Sequence, residues 1–458
     1  VITRQLRKIE SMIAGAKWIG ENVQIHGVSI DSRTVVQGNL YIPIIGPNSN
    51  GHDYINGAIQ NGAVATLWKK DQPNPPQDIP TIFVEDTLIA LQQLAASYRN
   101  QLKQATFIGI TGSNGKTSTK DILHQVLSTR FKTKKTIGNY NNHIGVPLTL
   151  LSLDEDVEMA VIEMGMDHLL EIAFLSDMVK PDIAMIMNIG SAHLETMGTL
   201  ENIAQAKCEI VTGLKKDGVL VVNGDDDLLL KETKRHSCKQ LTFGEKSSNQ
   251  LYLTSFHQGE SSLQFTASNS NSMFALSLIG RHQAINCLAV MQVAHLLHLS
   301  EADIQTGFRQ VQLTTQRNEV KRFGSVTIIN DTYKSNPESV KAAIQTLESL
   351  PNRKRKIFVM GDMVDLGEQA VALHKQIGTY IAEANIDMVL GSGDLTFHTI
   401  TSIQERDTSP QADFFLEEEK LIETIIVLAK EPCTILLKAS RSLQFDKVVE
   451  AIEKRLMK

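Results

Sequence analysis

The sequence predicts an α/β protein of three domains, the middle one built on a mostly parallel sheet. Three observations lead there. The chain has 458 residues, and at roughly 150 residues per domain that length suggests about three. Continuous apolar runs such as Phe107-Ile108-Gly109-Ile110 have the composition of strands covered on both faces by helices. Helical stretches separate successive runs, the alternation of doubly wound folds.

In residues 1–100, the runs Leu40–Ile44, Ala65–Trp68 and Thr81–Val84 read as strands between turn residues, and Gln72-Pro73-Asn74-Pro75-Pro76 reads as a surface loop. A helix is expected over 87–100, with Leu88, Leu91, Leu94 and Ala95 on one face. Residues 101–314 open with the strand 105–110 and the helix 116–128, and the runs 159–162, 183–187 and 218–222 are further buried strands. Residues 315–458 repeat the pattern with strands at 326–329, 356–360, 388–390 and 434–437, and helices at 338–347 and 371–384. A second α/β unit facing the first implies a cleft between them, the usual place for a ligand.

Composition narrows the function. Hydrophobic residues are 42% and charged residues 21% of the chain, and the formal net charge is −6. This excludes a chain dominated by basic surface, so neither nucleic acid nor an anionic membrane is expected as partner. The four cysteines, Cys208, Cys238, Cys287 and Cys433, form no C-x-x-C pair and predict free thiols in a reducing cytoplasm. No apolar run approaches the length of a membrane span, and Val1–Lys8 lacks the apolar core of a secretory leader.

The strongest local signal is Thr111-Gly112-Ser113-Asn114-Gly115-Lys116-Thr117-Ser118. Glycines let the backbone wrap a phosphate without Cβ clashes. Successive N–H groups and the following helix N-terminus then point at the anion. Lys116 can reach the β- and γ-phosphates of ATP, and the Thr117 hydroxyl can ligate Mg²⁺. A plain Gly-rich turn before a helix is the competing reading, and the buried strand just before the loop favours phosphate. Glu163 ends another buried strand, where a carboxylate can meet the same Mg²⁺; taken alone it also fits an edge-of-core glutamate.

The form T-G-x-N-G-K-T resembles the Mur ligases and their folylpolyglutamate synthase relatives, and further segments resemble the Mur family in order along essentially the whole chain. Gly138-Asn139-Tyr140-Asn141-Asn142-His143-Ile144-Gly145-Val146-Pro147 is similar to a family segment after the nucleotide loop. The resemblance makes Glu163 a Mg²⁺ ligand, His193 in Asn188–Leu194 a ligand of a second Mg²⁺, and Lys207 in Ala206-Lys207 the lysine that CO₂ carbamylates into an anion. It places His282 and Asn286, four apart on one helix face, near the adenine, and Arg317 at the phosphates. Asp331 and Tyr333 in Asn330–Pro337 would also meet the nucleotide.

Three segments resemble most the member that joins D-Ala-D-Ala to UDP-N-acetylmuramoyl-tripeptide. Asp31, Ser32 and Arg33, with Gly46, Gly51 and His52 downstream, would hold the UDP substrate. Asn336, Asp362, Lys438, Ser440 and Arg441 fall in the region implied for the amine. The resemblance thus implies a UDP-substrate domain (1–100), a central phosphate-loop domain (101–314) and a Rossmann-like domain (315–458) that closes on the nucleotide. It further implies ATP, two Mg²⁺ sites, carbamylated Lys207 and a monomer.

The chain departs from the family pattern at five positions. Lys334 and Ser335 stand in Asn-Asp-Thr-Tyr-Lys-Ser-Asn-Pro where the family usually has Asn and Ala; Asn50, Asp365 and Ser442 replace Asp, Glu and Gly. A lysine for an asparagine adds a charge. The departures keep open a paralogous ligase with another amine, and a paralogue that binds without catalysis. A folylpolyglutamate synthase, and a phosphate-loop ATPase that performs no ligation, also share the loop. Asp31-Ser32-Arg33 argues against the synthase.

Overall fold

The apolar runs become the middle strands of three sheets in the computed structural model, which describes residues 1–351, 354–406 and 410–457. The largest sheet has nine strands. From one edge their order is Phe274–Leu276, Leu263–Ala267, Leu251–Gln258, Lys239–Gly244, Val219–Asn223, Ile183–Ile186, Thr106–Thr111, Met159–Glu163 and Thr133–Lys135. Seven run parallel, and the last two along the chain, Leu263–Ala267 and Phe274–Leu276, add antiparallel.

Thr106–Thr111 lies between Met159–Glu163 and Ile183–Ile186. The chain passes to one side of this central strand and then to the other, which makes a switch point at its carboxyl end. Three signals found in the sequence leave the sheet there: the phosphate loop, Glu163, and the segment 188–193.

One face of this sheet is covered by the helices Lys116–Leu127, Arg281–Leu296 and Glu301–Arg309. The other shares a continuous apolar core with the first unit, from Ile2 and Leu94 to Val179 and Leu229. Asp86 caps the first unit's helix Thr87–Arg99 through the Ile89 N–H. Its last turn is bonded to the central unit, Tyr98 Oη donating to the Leu153 carbonyl (2.8 Å) and Arg99 to the Val179 and Lys180 carbonyls. A shared core of this kind makes the first two units one body.

The first unit's own sheet has five strands, Lys17–Ile19, Thr81–Val84, Ala63–Lys69, Asn39–Tyr41 and Val28–Ser29. The strand expected over 40–44 stops at Tyr41: Pro43 has no N–H to continue a ladder. The third unit has six strands in the order Glu319–Phe323, Val326–Asp331, Cys433–Lys438, Arg355–Met360, Met388–Ser392 and Gln411–Phe415, parallel except for the first. Its carboxyl edge, with Asp331, Lys438 and Ser440, faces the switch point of the central sheet. Among the described residues no helix is long and apolar enough to cross a membrane.

Candidate active site

A cleft of about 1020 Å³ separates the central and third units. The phosphate loop forms its floor. Gly112 and Gly115 have φ of 148° and 81°, values that disfavour side chains. A Cβ on Gly115 would lie 2.9 Å from Asn286 Oδ1, and one on Gly112 2.9 Å from Met187 Cβ. The loop is therefore pressed against both the strand end and the helix of His282 and Asn286. Asn188 braces it from the next strand, accepting from the Asn114 N–H at 2.8 Å. The helix Lys116–Leu127 has no side-chain cap, so its first N–H groups are available to an anion.

Lys116 folds its ammonium back onto the Gly112 carbonyl. Among the described residues no carboxylate pairs with it, and burial, then the Lys334 charge, lower it to about 8. Arg317 lies on the opposite wall, stacked 4.2 Å from the Tyr333 ring centroid, its buried Nε without a hydrogen-bond partner. These cations await a polyanion.

Glu163 is buried beneath the loop. Its Oε1 accepts from Thr117 Oγ1 (3.2 Å) and Asn141 Nδ2 (2.9 Å). Among the described residues its Oε2 finds no hydrogen bond, though the Lys120 ammonium stands 3.5 Å away. A buried carboxylate oxygen without a hydrogen bond, next to a hydroxyl and a phosphate loop, fits Mg²⁺. Among the described residues no three His, Cys, Asp or Glu side chains converge on one point, so phosphate oxygens and water would complete the shell.

His193, with φ of 67°, starts the short helix Leu194–Met197. Its Nδ1 lies 2.8 Å from Asp167 Oδ1 and its Nε2 2.9 Å from Lys334 Nζ. An unprotonated carboxylate only accepts and an ammonium only donates, so the ring is neutral with its proton on Nδ1. Burial lowers its pKa, in agreement.

Lys207 is buried on the helix Leu200–Cys208. Its amine makes no hydrogen bond or ion pair among the described residues, and burial, then the charges of Lys116 and Lys334, push it well below the usual lysine range. An uncharged amine is the form that reacts with CO₂.

The third unit closes this arrangement with polar contacts. Asn336 Nδ2 donates to Asn114 Oδ1 (2.9 Å), while Asn336 Oδ1 caps the helix Pro337–Ser349. Glu338 accepts from the Ser191 N–H (3.1 Å) and Oγ (2.7 Å), and Asn318 Nδ2 bonds to His282 Nε2 (3.0 Å). Glu338→Ala is expected to lower kcat/KM by about tenfold or more, the usual effect of a hydrogen bond to a charged group, and to enlarge the radius of gyration in solution scattering. An unchanged radius would remove Glu338 from the closure.

His282 adds a pH dependence. Burial lowers its pKa from 6.5 to about 4. Below pH 6.5 the unfolded chain takes up a proton that the folded chain refuses until about pH 4, so stability falls as pH drops through that window. His282→Gln should flatten the acid limb of a Tm-against-pH curve; an unaltered limb would place the acid sensitivity elsewhere.

The cleft gathers the expected nucleotide residues Ser113, Asn114, Gly115, Lys116, Thr117, Ser118, Asn141, Asn142, His282, Asn286, Arg317, Asp331 and Tyr333, with Glu163 and His193. The amine-region residues divide. Ser440 and Arg441 line the cleft. Lys438 reaches it but is committed, donating to Asp331 Oδ2 and the Lys334 carbonyl, both at 2.8 Å. Asp362 is buried aside, accepting from Leu395 N, Thr396 N and Thr396 Oγ1. None of Asp31, Ser32, Arg33, Gly51 and His52 lines the cleft. They stay in the first unit, where Asp31 accepts from the Arg33 guanidinium (2.7 Å) and His52 packs edge-on against Trp68. Sequence reasoning missed Lys120, Asp167 and Glu338; only Lys120, one turn beyond Lys116, had a spacing that could have marked it.

Comparison with known proteins agrees with this geometry. Family descriptions match in three consecutive stretches: the Mur ligase family catalytic domain at residues 24–99, the Mur ligase middle domain at 110–294, and the Mur ligase glutamate ligase domain at 316–441. UDP-N-acetylmuramoyl-tripeptide–D-alanyl-D-alanine ligase of Bacillus subtilis (strain 168) is 38% identical over 453 residues, covering 98% of each chain. The crystal structure of MurF from Acinetobacter baumannii superposes with a TM-score of 0.91 at 28% identity over all of both chains. MurF ligase from Thermotoga maritima, solved in complex with ADP, superposes at 0.81 with 29% identity, covering 94% of this chain and 98% of that one. With the phosphate loop, the buried carboxylate and the closing third unit in the same order along both sequence and fold, the chain belongs to the Mur ligase family.

Proposed function

We propose that the chain uses ATP to join D-alanyl-D-alanine to UDP-N-acetylmuramoyl-tripeptide, giving the UDP-linked pentapeptide of peptidoglycan synthesis, ADP and phosphate. The observation that carries the reading is the convergence, in one closed cleft, of a phosphate loop, a buried carboxylate and a third unit docked on that loop. The full-length likeness to UDP-N-acetylmuramoyl-tripeptide–D-alanyl-D-alanine ligases supports the choice of substrates.

The chemistry needs no protein nucleophile. A carboxylate oxygen of the tripeptide attacks the γ-phosphorus and ADP leaves, forming an acyl phosphate. The dipeptide amine then attacks the acyl carbon, loses a proton, and phosphate departs. Lys116, the loop N–H groups and Arg317 hold the triphosphate in line. Glu163 and Thr117 would hold one Mg²⁺; the second that the family resemblance implies would need the Nε2 lone pair of His193, with Lys207 as its carbamate. Mg²⁺ when bound neutralises charge on the transferred phosphoryl group. Glu338 and Asn336 keep the third unit closed, which excludes the water that would hydrolyse the acyl phosphate. The turns at Asp31–Arg33 and Gly51-His52 would hold the UDP end, and Ser440 and Arg441 the dipeptide. The same reading has the enzyme act in the cytoplasm, as a monomer.

The test is phosphate release from ATP with both substrates present and each omitted in turn. Release that needs all three, with the mass of one dipeptide added to the nucleotide, is the expected result. Release indifferent to the dipeptide would redirect the assignment to another amine.

A further inference from the structure

Lys334, one of the departures from the family pattern, lines the cleft. Its ammonium stands 2.9 Å from His193 Nε2. Asp167 holds the other ring nitrogen, at 2.8 Å, so Nε2 carries the ring's only available lone pair. A Mg²⁺ ion on that lone pair would sit at about 2 Å from the nitrogen. Ion and ammonium would then lie roughly 1 Å apart along one direction, which neither size nor charge permits.

The backbone that carries Lys334 is also held in place. Its carbonyl accepts from Lys438 Nζ at 2.8 Å, and the same ammonium is bonded to Asp331. Two residues on, Asn336 is buried and tied to Asn114 of the phosphate loop. The segment that carries Lys334 is therefore part of the closed interface, and its side chain enters the site as the third unit docks.

We propose that the Lys334 ammonium is this chain's own cation at the position where His193 would hold a second Mg²⁺, so that one divalent cation binds with the nucleotide rather than two. The inference rests on the nucleotide site described above. Lys334 supplies a charge that needs no metal from solution. Glu163 and Thr117 keep the remaining ion.

The experiment counts Mn²⁺ bound per full-length chain, from the electron paramagnetic resonance signal of the free ion, in saturating β,γ-methylene-ATP. Wild type should bind one Mn²⁺, and Lys334→Asn and Lys334→Met two. Lys334→Arg keeps the charge and should bind one. Two ions on wild type, or one on the Met variant with its Tm and nucleotide binding intact, would overturn the proposal. Wild type alone decides it should the variants fail to fold. A wild type that binds no nucleotide in the same titration fails the reading of the cleft as an ATP site. A wild type that binds nucleotide with two ions fails the assignment of Lys334 alone.

Discussion

Lys116→Ala is expected to lower the rate of phosphate release by about 10³-fold, the scale on which one preorganised positive group stabilises a transition state, and to leave the fold intact. The two halves have the same cause. Among the described residues the Lys116 ammonium hydrogen-bonds to loop carbonyls alone, and burial with the nearby Lys334 charge lowers it to about 8. The folded chain thus carries a cation it holds poorly until a triphosphate arrives. The free protein should melt no lower after truncation. Between about pH 8 and 10.5 the unfolded chain keeps a proton that the folded chain has lost, so stability contributed by this group rises with pH in that window. Lys116→Ala should remove that rise. UDP-substrate binding, by calorimetry, should be little altered, because none of the first unit's candidate residues lines the cleft. A variant with kcat within tenfold of wild type would take Lys116 out of the mechanism.

What the sequence made legible was local. Phe107 to Ile110 reads as a buried strand because every residue of the run is apolar, and the structure buries all of them. The phosphate loop reads from its two glycines and the lysine at the start of a helix, a pattern that fits within eight residues. The antiparallel pair Leu251–Gln258 and Leu263–Ala267 gave no comparable signal: the first breaks its alternation at Thr254 and Ser255, the second alternates over only five residues, and serine and asparagine surround them. The long-range pairs were out of reach. His193 and Lys334 are separated by 141 residues, Ser191 and Glu338 by 147; no periodicity connects them, and only the docking of two sheets at their carboxyl edges does. Lys438 illustrates the converse. A lysine at a strand end near the substrate invites a substrate role, yet Asp331 and a carbonyl occupy its ammonium, and only the folded chain brings such partners to it.

Lys207 separates function from stability most sharply. Lys207→Ala is expected to lose activity by about 10²–10³-fold, since it deletes the anion proposed to bind charge in the transition state. Acetate or formate at high concentration should restore part of the rate, because a small carboxylate can take the position of a carbamate. Lys207→Met should be equally inactive yet, with CO₂ and bicarbonate removed, melt above wild type. The wild-type amine is buried without a hydrogen bond or ion pair among the described residues, and its neighbours Lys116 and Lys334 are cations; such a group destabilises the fold. A methionine fills much the same volume without the polar atom. Removal of CO₂ and bicarbonate should slow the wild type and leave both variants as they are. A lysine kept only for packing would give the opposite set: near-normal turnover for Lys207→Met, no response to carboxylates, and no dependence on CO₂. A buried, unpaired amine that costs stability and carries no rate would contradict the role proposed for it, whereas lost activity with raised Tm and carboxylate rescue would show that the fold tolerates this lysine for its chemistry.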